Sequence, residues 1–190
     1  ALLPIRPFTA SHAANVWKMK VSEAQKVLDG LASRAILLDV VDPDGATTYV
    51  LPPPMAGFFE FSMMRLRGDV DQKLLAELFH QYINVEEEFI TSLFMSKTPL
   101  GRAFVNEDAL LPEHALTVLD YERASEVMRS ASHRAIGICY CRHKMMHMHR
   151  ACDAPMDICM TFNTVAGALV RHDYARTVDV AEGLDLLQEA

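Results

Sequence analysis

All four cysteines of this 190-residue chain fall within 21 residues, Cys139, Cys141, Cys152 and Cys159, with the spacing C-x-C-x10-C-x6-C. Thiols gathered so closely constrain the backbone, because they meet each other or something held between them. Three arrangements are open: an iron–sulfur cluster held by four thiolates, a four-cysteine structural zinc site, or buried thiols and disulfides. In a regular strand Cys139 and Cys141 would share a face, with Cα atoms roughly 6.6 Å apart. Along a continuous helix Cys152 and Cys159 would lie about 10 Å apart, too far for one zinc ion. Pro155 suits the first turn of a helix. The expectation is therefore a helix from Pro155 to about Arg171, with Cys152 in the loop before it and Cys159 in its second turn. The spacing matches neither paired zinc knuckles nor the ferredoxin run.

The surroundings are basic. Between Glu122 and Arg150 stand Arg123, Arg129, Arg134, Arg142, Lys144 and Arg150 against Glu122 and Glu126, a local +4 in a chain of −7. Cations offset the negative charge of a thiolate-held cluster, which gives Arg142 and Lys144 a supporting role around it. A solvated basic loop would look the same. His143, His147 and His149 alternate with Met145, Met146 and Met148, a soft-metal pattern that ranks below the cysteines. Cys139 or Cys159 with His143 could also form a nucleophile–base pair.

The block Gly137-Ile-Cys-Tyr-Cys-Arg-His-Lys144, followed by Ala151-Cys-Asp-Ala-Pro-Met-Asp-Ile-Cys-Met-Thr-Phe162, resembles a family of bacterial and archaeal 4Fe-4S ferredoxin-type proteins. Pro53 to Arg65 and Asp120-Tyr-Glu-Arg-Ala124 share that likeness. The resemblance implies that Cys139, Cys141, Cys152 and Cys159 are metal ligands of a [4Fe–4S] cluster, with zinc as the alternative. It also implies electron transfer with a redox protein partner and no independent catalysis. The family's classical ferredoxin cysteines would lie after residue 190, so this chain would be a fragment or a shorter relative.

The rest of the chain reads as α+β and mainly helical. A winged-helix-like module over 1–54 joins a helical domain over 55–190, which carries the four-cysteine loop at 137–162. Thr9 caps a helix over 10–17, and Ser22 caps a second with Ala24, Val27, Leu28 and Leu31 on one face. Strands at 36–40 and 47–51 flank the turn Asp42-Pro-Asp-Gly45. Helix, helix, hairpin is the winged-helix order. Yet the second helix carries Glu23, Lys26 and Asp29, and the first 50 residues are electrically neutral. Phosphate contacts need a cationic face, so DNA binding is disfavoured and a scaffold or homodimer role preferred.

Beyond Pro52-Pro-Pro54, the Phe- and Met-rich stretch 55–67 reads as buried helix and core. Asp69 caps a helix to about Ile83, with Leu74, Leu75, Leu78 and Phe79 inward. Asn84 caps another to about Ser96, with Glu86-Glu-Glu88 in its first turn and Phe89, Ile90, Leu93 and Phe94 inward. A turn at 98–101, loop to 114, a strand at 116–119 and a helix over 121–132 capped by Asp120 follow. A strand over 135–140 then enters the cysteine loop. Asp179 caps the last helix, with Glu182 completing a capping box.

Hydrophobic residues make up 51% of the chain and charged residues 23%, a globular balance. The net charge of −7 argues against a general polyanion binder. No apolar run reaches a membrane span and no signal peptide opens the chain, so the cytoplasm is expected. G-x-S-x-G, glycine-rich phosphate loops and H-E-x-x-H are all missing. The reading is a cytoplasmic iron–sulfur electron-transfer protein. Its alternatives are a winged-helix regulator sensing metal or redox state through the cysteines, and a zinc-stabilised interaction scaffold.

Overall fold

A computed structural model describes residues 3–95 and 121–189, apart from the side chains of residues 56, 93, 94, 121 and 122. The chain is α+β and mainly helical, with two small antiparallel sheets. The turn, loop and strand expected over 98–119, the Asp120 cap and the inward placing of Leu93 and Phe94 lie outside the description.

Thr9 accepts a hydrogen bond from the His12 amide and starts α1 (Ala10–Trp17). Helix α2 (Val21–Ala32) starts one residue before the expected cap, because Glu23 reaches back to the Lys20 amide. Strands β1 (Leu38–Val41) and β2 (Thr47–Val50) pair antiparallel across the Asp42–Gly45 turn. Ala24 and Leu28 are fully buried, whereas Val27 is 47% exposed, so the apolar face of α2 is narrower than its periodicity implies. Phe8, Leu28, Leu37 and Tyr49 form the core of this unit. Burial of each large side chain contributes on the order of 1.5–3 kcal/mol. The buried Tyr49 hydroxyl donates to Asp29 Oδ1 at 2.6 Å and accepts from Gln25.

Two expected helix starts move. The Phe-rich stretch forms a single π-helical turn, Met55–Phe59, and then a short irregular run rather than a long helix. Asp71, not Asp69, caps α3 (Gln72–Asn84) by accepting from the Leu74 amide. Asp69 is held instead by Arg67, at 2.6 Å. Asn84 closes α3 through the His80 carbonyl, and Glu86 occupies the N-cap of α4 (Glu87–Phe94). On α3, Ala76 and Phe79 are buried, while Leu74 and Leu78 are about half exposed at 51% and 44%. Gln72 ties the helix back to the irregular run, bonding the Ser62 and Arg65 carbonyls and the Arg67 amide.

The second half carries the largest departure from expectation. After α5 (Tyr121–Ser130), strand β3 (Arg134–Ile138) leads directly into α6 (Tyr140–His147). The segment expected to be the cysteine loop thus begins as helix. Strand β4 (Asp157–Phe162) then pairs antiparallel with β3, where a helix was expected from Pro155. Its Asp-Ile-Cys-Met-Thr-Phe sequence is rich in β-branched and aromatic residues, and pairing with β3 satisfies its backbone groups. Helix α7 (Asn163–Arg171) follows, and the short β5 (Arg176–Thr177) joins the other edge of β3. Asp179 accepts from the Glu182 amide at the head of α8 (Val180–Glu189), as expected, while the Glu182 carboxylate meets Arg176 at 2.6 Å.

The two halves share a core of Ala35, Leu38, Phe61, Met64, Ala168, Leu169 and Tyr174. A polar seam runs beside it. Arg171 and His172 both meet the Asp39 carboxylate, at 3.2 and 3.1 Å. Arg65 donates to the His172 carbonyl at 2.6 Å and lies over the Tyr174 ring at 4.2 Å. No helix among the described residues is long and apolar enough to cross a membrane.

A candidate dithiol site at the head of helix α6

The turn from β3 into α6 sets the site. Gly137 pairs with Cys159 across the sheet, and the register slips by one residue before Ile138 pairs with Asp157. That bulge redirects the chain. The Cys139 amide then bonds the Met156 carbonyl at 2.6 Å, and Cys139 becomes the N-cap of α6. Gly137 is needed here for space: a Cβ would lie 2.7 Å from both the Met64 terminal methyl and the Tyr174 carbonyl oxygen.

At this helix start the Cys139 and Cys141 sulfurs are 3.0 Å apart. Both thiols are free, Cys139 buried and Cys141 exposed. Donation from the neighbouring Cys141 thiol pulls Cys139 down to about 6, opposed by burial and aided by the Arg142 amide and guanidinium. Cys141 is raised in turn, chiefly because its proton bonds the Cys139 sulfur. The pair therefore shares one proton over a wide pH range. A helix start favours a thiolate for the same reason that it favours other anions.

The other two cysteines have separate partners. Arg142 Nε donates to the exposed Cys152 at 3.0 Å, and the same guanidinium bonds the Pro155 carbonyl. That contact holds the Cys152 thiol below its ordinary range. Cys159 lies half-buried on β4, with its Sγ 3.9 Å from Glu60 Oε1. Burial, then the charge of Glu60, pushes Cys159 up to about 12.

His143 is buried, with Nδ1 2.7 Å from the Met63 carbonyl. The His147 ring lies against it, tilted by 37° at 5.2 Å between centroids, and burial lowers its proton affinity. His143 thus serves the packing between α6 and the Met63 segment rather than pairing with Cys139 or Cys159. His149 sits exposed beyond the helix end, with φ of 55°. Lys144 is buried, and desolvation lowers its proton affinity.

These positions correct the metal reading. Among the described residues, no group of three or more His, Cys, Asp or Glu side chains is placed to hold a metal ion. The four cysteines divide into a pair, one thiol on Arg142 and one on Glu60, so Cys139, Cys141, Cys152 and Cys159 do not converge as ligands. The [4Fe–4S] cluster, the zinc alternative and the ferredoxin-type resemblance fall with that convergence. So do cluster-based electron transfer, metal-dependent regulation and the zinc scaffold. Arg142 and Lys144 lose their supporting role around a cluster; Arg142 acts on Cys152 instead.

No family model, curated protein or solved structure matches the chain. Sequence reasoning missed Glu60. Its signal was a lone carboxylate inside Phe58-Phe-Glu-Phe61, in a stretch read entirely as core.

Proposed function

We propose that the protein is a thiol–disulfide exchange protein whose working group is the Cys139–Cys141 pair. The supporting observation is the 3.0 Å contact between two free thiols at a helix start. A disulfide needs the sulfurs to close to about 2.05 Å, a small motion. The substrate class is a disulfide, on a small thiol compound or a protein partner.

The steps balance without another reagent. The shared proton crosses to Cys139, leaving the charge on the exposed Cys141 sulfur. That thiolate attacks one sulfur of the substrate disulfide, whose S–S bond breaks and releases one thiolate. Cys139 then gives up its proton and attacks the Cys141 sulfur, releasing the second substrate thiolate. Two electrons pass from the pair to the substrate, and the remaining proton goes to a leaving thiolate. Run backwards, the same steps reduce the pair and oxidise two thiols.

Alkylation by iodoacetamide tests this reading. The rate should rise with pH to an apparent midpoint near 6 and level off above it. Oxidised glutathione should produce a Cys139–Cys141 disulfide, seen by peptide mass analysis. Cys141→Ala should move the midpoint up, because the largest lowering influence on Cys139, the bond from the Cys141 thiol, is then lost while burial still acts. Ordinary alkylation of both thiols near pH 8.5, with no disulfide formed, would sink the proposal.

The finer fold and setting belong to the same reading. The order α1, α2, β1, β2 supports a winged-helix-like module over 1–54, in a scaffold or homodimer role beside the domain over 55–190. A free dithiol suits a reducing compartment, which supports the cytoplasm.

A further inference from the structure

Helix α3 leaves one face uncovered. Leu74, Leu78 and Tyr82 stand four residues apart along one side of it. They are 51%, 44% and 47% exposed, and Phe58 is 40% exposed. Phe58, Leu75, Leu78, Tyr82 and, from α4, Phe89 border a groove of about 400 Å³. Its floor is Phe59 and Phe79, whose ring centroids are 4.3 Å apart, with Phe89 5.6 Å from Phe59. These rings already rest on one another, so the groove is preformed. A continuous apolar surface of this kind marks a place where something docks.

Charge gives the chemistry of the occupant. Over residues 74–89 stand Glu77, Glu86, Glu87 and Glu88, with no Lys or Arg. All four carboxylates are exposed, and none has an ion pair among the described residues. Glu86 takes a neutral partner, the Gln81 amide at 2.7 Å. Glu87 and Glu88 directly precede Phe89, and Glu77 flanks Leu74 and Leu78 on α3. Lys73 lies half a turn round the helix from Tyr82, toward α6, where His147 feels its charge. An acidic rim around an apolar groove repels a second copy of the same face and an anionic lipid surface, and it attracts a cationic partner.

The backbone gives the shape of the occupant. The groove lies among helices, whose main-chain groups bond within the helices, so it offers no sheet edge to an extended peptide. From Leu74 to Tyr82 the row is about 12 Å long, at 1.5 Å per residue. A helix presenting apolar side chains at i, i+4 and i+7 spans about 10 Å and satisfies its own backbone. We propose that this groove is the docking site for a basic amphipathic helix of another protein. Its apolar side chains seat on Phe58, Leu78 and Tyr82, and its Lys or Arg residues lie over the four glutamates. Nothing in this surface depends on the dithiol.

The test uses the full reduced chain and two synthetic helical peptides with the same row of Leu and Phe, one flanked by Lys and the other by Glu. Fluorescence anisotropy should show micromolar binding of the Lys peptide, weakened by salt. The Glu peptide should bind at least about tenfold more weakly. Leu78→Gln and Tyr82→Ser alter exposed side chains, so circular dichroism should stay unchanged while each weakens the Lys peptide about fivefold or more. Glu87→Gln combined with Glu88→Gln should reduce the salt dependence. Equal binding of the two peptides, no binding, or binding indifferent to Leu78→Gln and Tyr82→Ser would overturn the proposal. So would a dimer in sedimentation equilibrium that Leu78→Gln dissociates, because the face would then belong to a second copy of the chain.

Discussion

Single residues act here through their partners rather than their type. Cys139 and Cys141 have the same side chain two positions apart, yet one proton affinity falls and the other rises. The consequence for stability has a definite sign. In the unfolded chain a thiol ionises near pH 8.5, whereas folded Cys139 ionises at about 6. Its contribution is present in full above the unfolded value and is lost as pH falls through 6. Cys141 has the opposite shift, so its contribution fades as pH rises above 8.5. The urea midpoint of the reduced protein should therefore climb from about pH 6 to 8.5 and then stop climbing. Cys139→Ala should flatten that rise; an unchanged profile would show that the thiols do not interact. Tyr49 offers a second test, away from the site. Its hydroxyl is buried and bonded to Asp29. Tyr49→Phe should cost about 1.5–3 kcal/mol in urea denaturation, as for a hydrogen bond to a charged group.

At the scale of elements, the bulge between β3 and α6 positions the dithiol. Gly137 permits it, because a methyl group there would strike the Met64 side chain and the Tyr174 backbone. The Met64 terminus can move, but the Tyr174 carbonyl belongs to the backbone after α7. Gly137→Ala should destabilise the fold by about 1–3 kcal/mol, as overpacking does. It should also slow formation of the Cys139–Cys141 disulfide, read by mass analysis against the wild type. Loss of stability with an unchanged rate would separate the strand from the site. Helix α3 shows how a start signal is decided. Asp69 and Asp71 are equal candidates by type, but Arg67 engages Asp69 and leaves Asp71 to accept from the Leu74 amide. Asp71→Ala should cost about 1 kcal/mol, the usual value of an N-cap, and Asp69→Ala should change thermal stability little.

Across the whole molecule, the hairpin of the first half is fastened to the last third of the chain. Asp39 on β1 receives both Arg171 and His172 beside the shared core of Leu38, Leu169 and Tyr174. A double-mutant cycle on Asp39→Ala and Arg171→Ala should give a coupling of about 1 kcal/mol that shrinks in high salt. Additive effects would mean that the Arg171–Asp39 contact adds nothing to the apolar packing and the Arg65 and His172 contacts that join the halves. Much of this frame was legible from local signals. Thr9 and Asp179 announced their helices, Asp42–Gly45 announced the hairpin, and Ala24 and Leu28 announced a buried face. These signals act within a few residues, so no distant partner can overrule them cheaply.

The crowding of the four cysteines was likewise plain in the sequence, and it placed the candidate site at residues 139–159. What the thiols do there was not. Pro155 pointed to a helix by a local rule, but β3 offered an open edge, and pairing with it made 157–162 a strand. That choice carried Cys159 to Glu60, 99 positions away in the chain, while the turn of α6 gave Cys152 to Arg142. Sequence determined which residues are close along the chain. Tertiary pairing decided which sulfurs face each other, because backbone hydrogen bonding across a sheet outweighs a single residue's preference for helix.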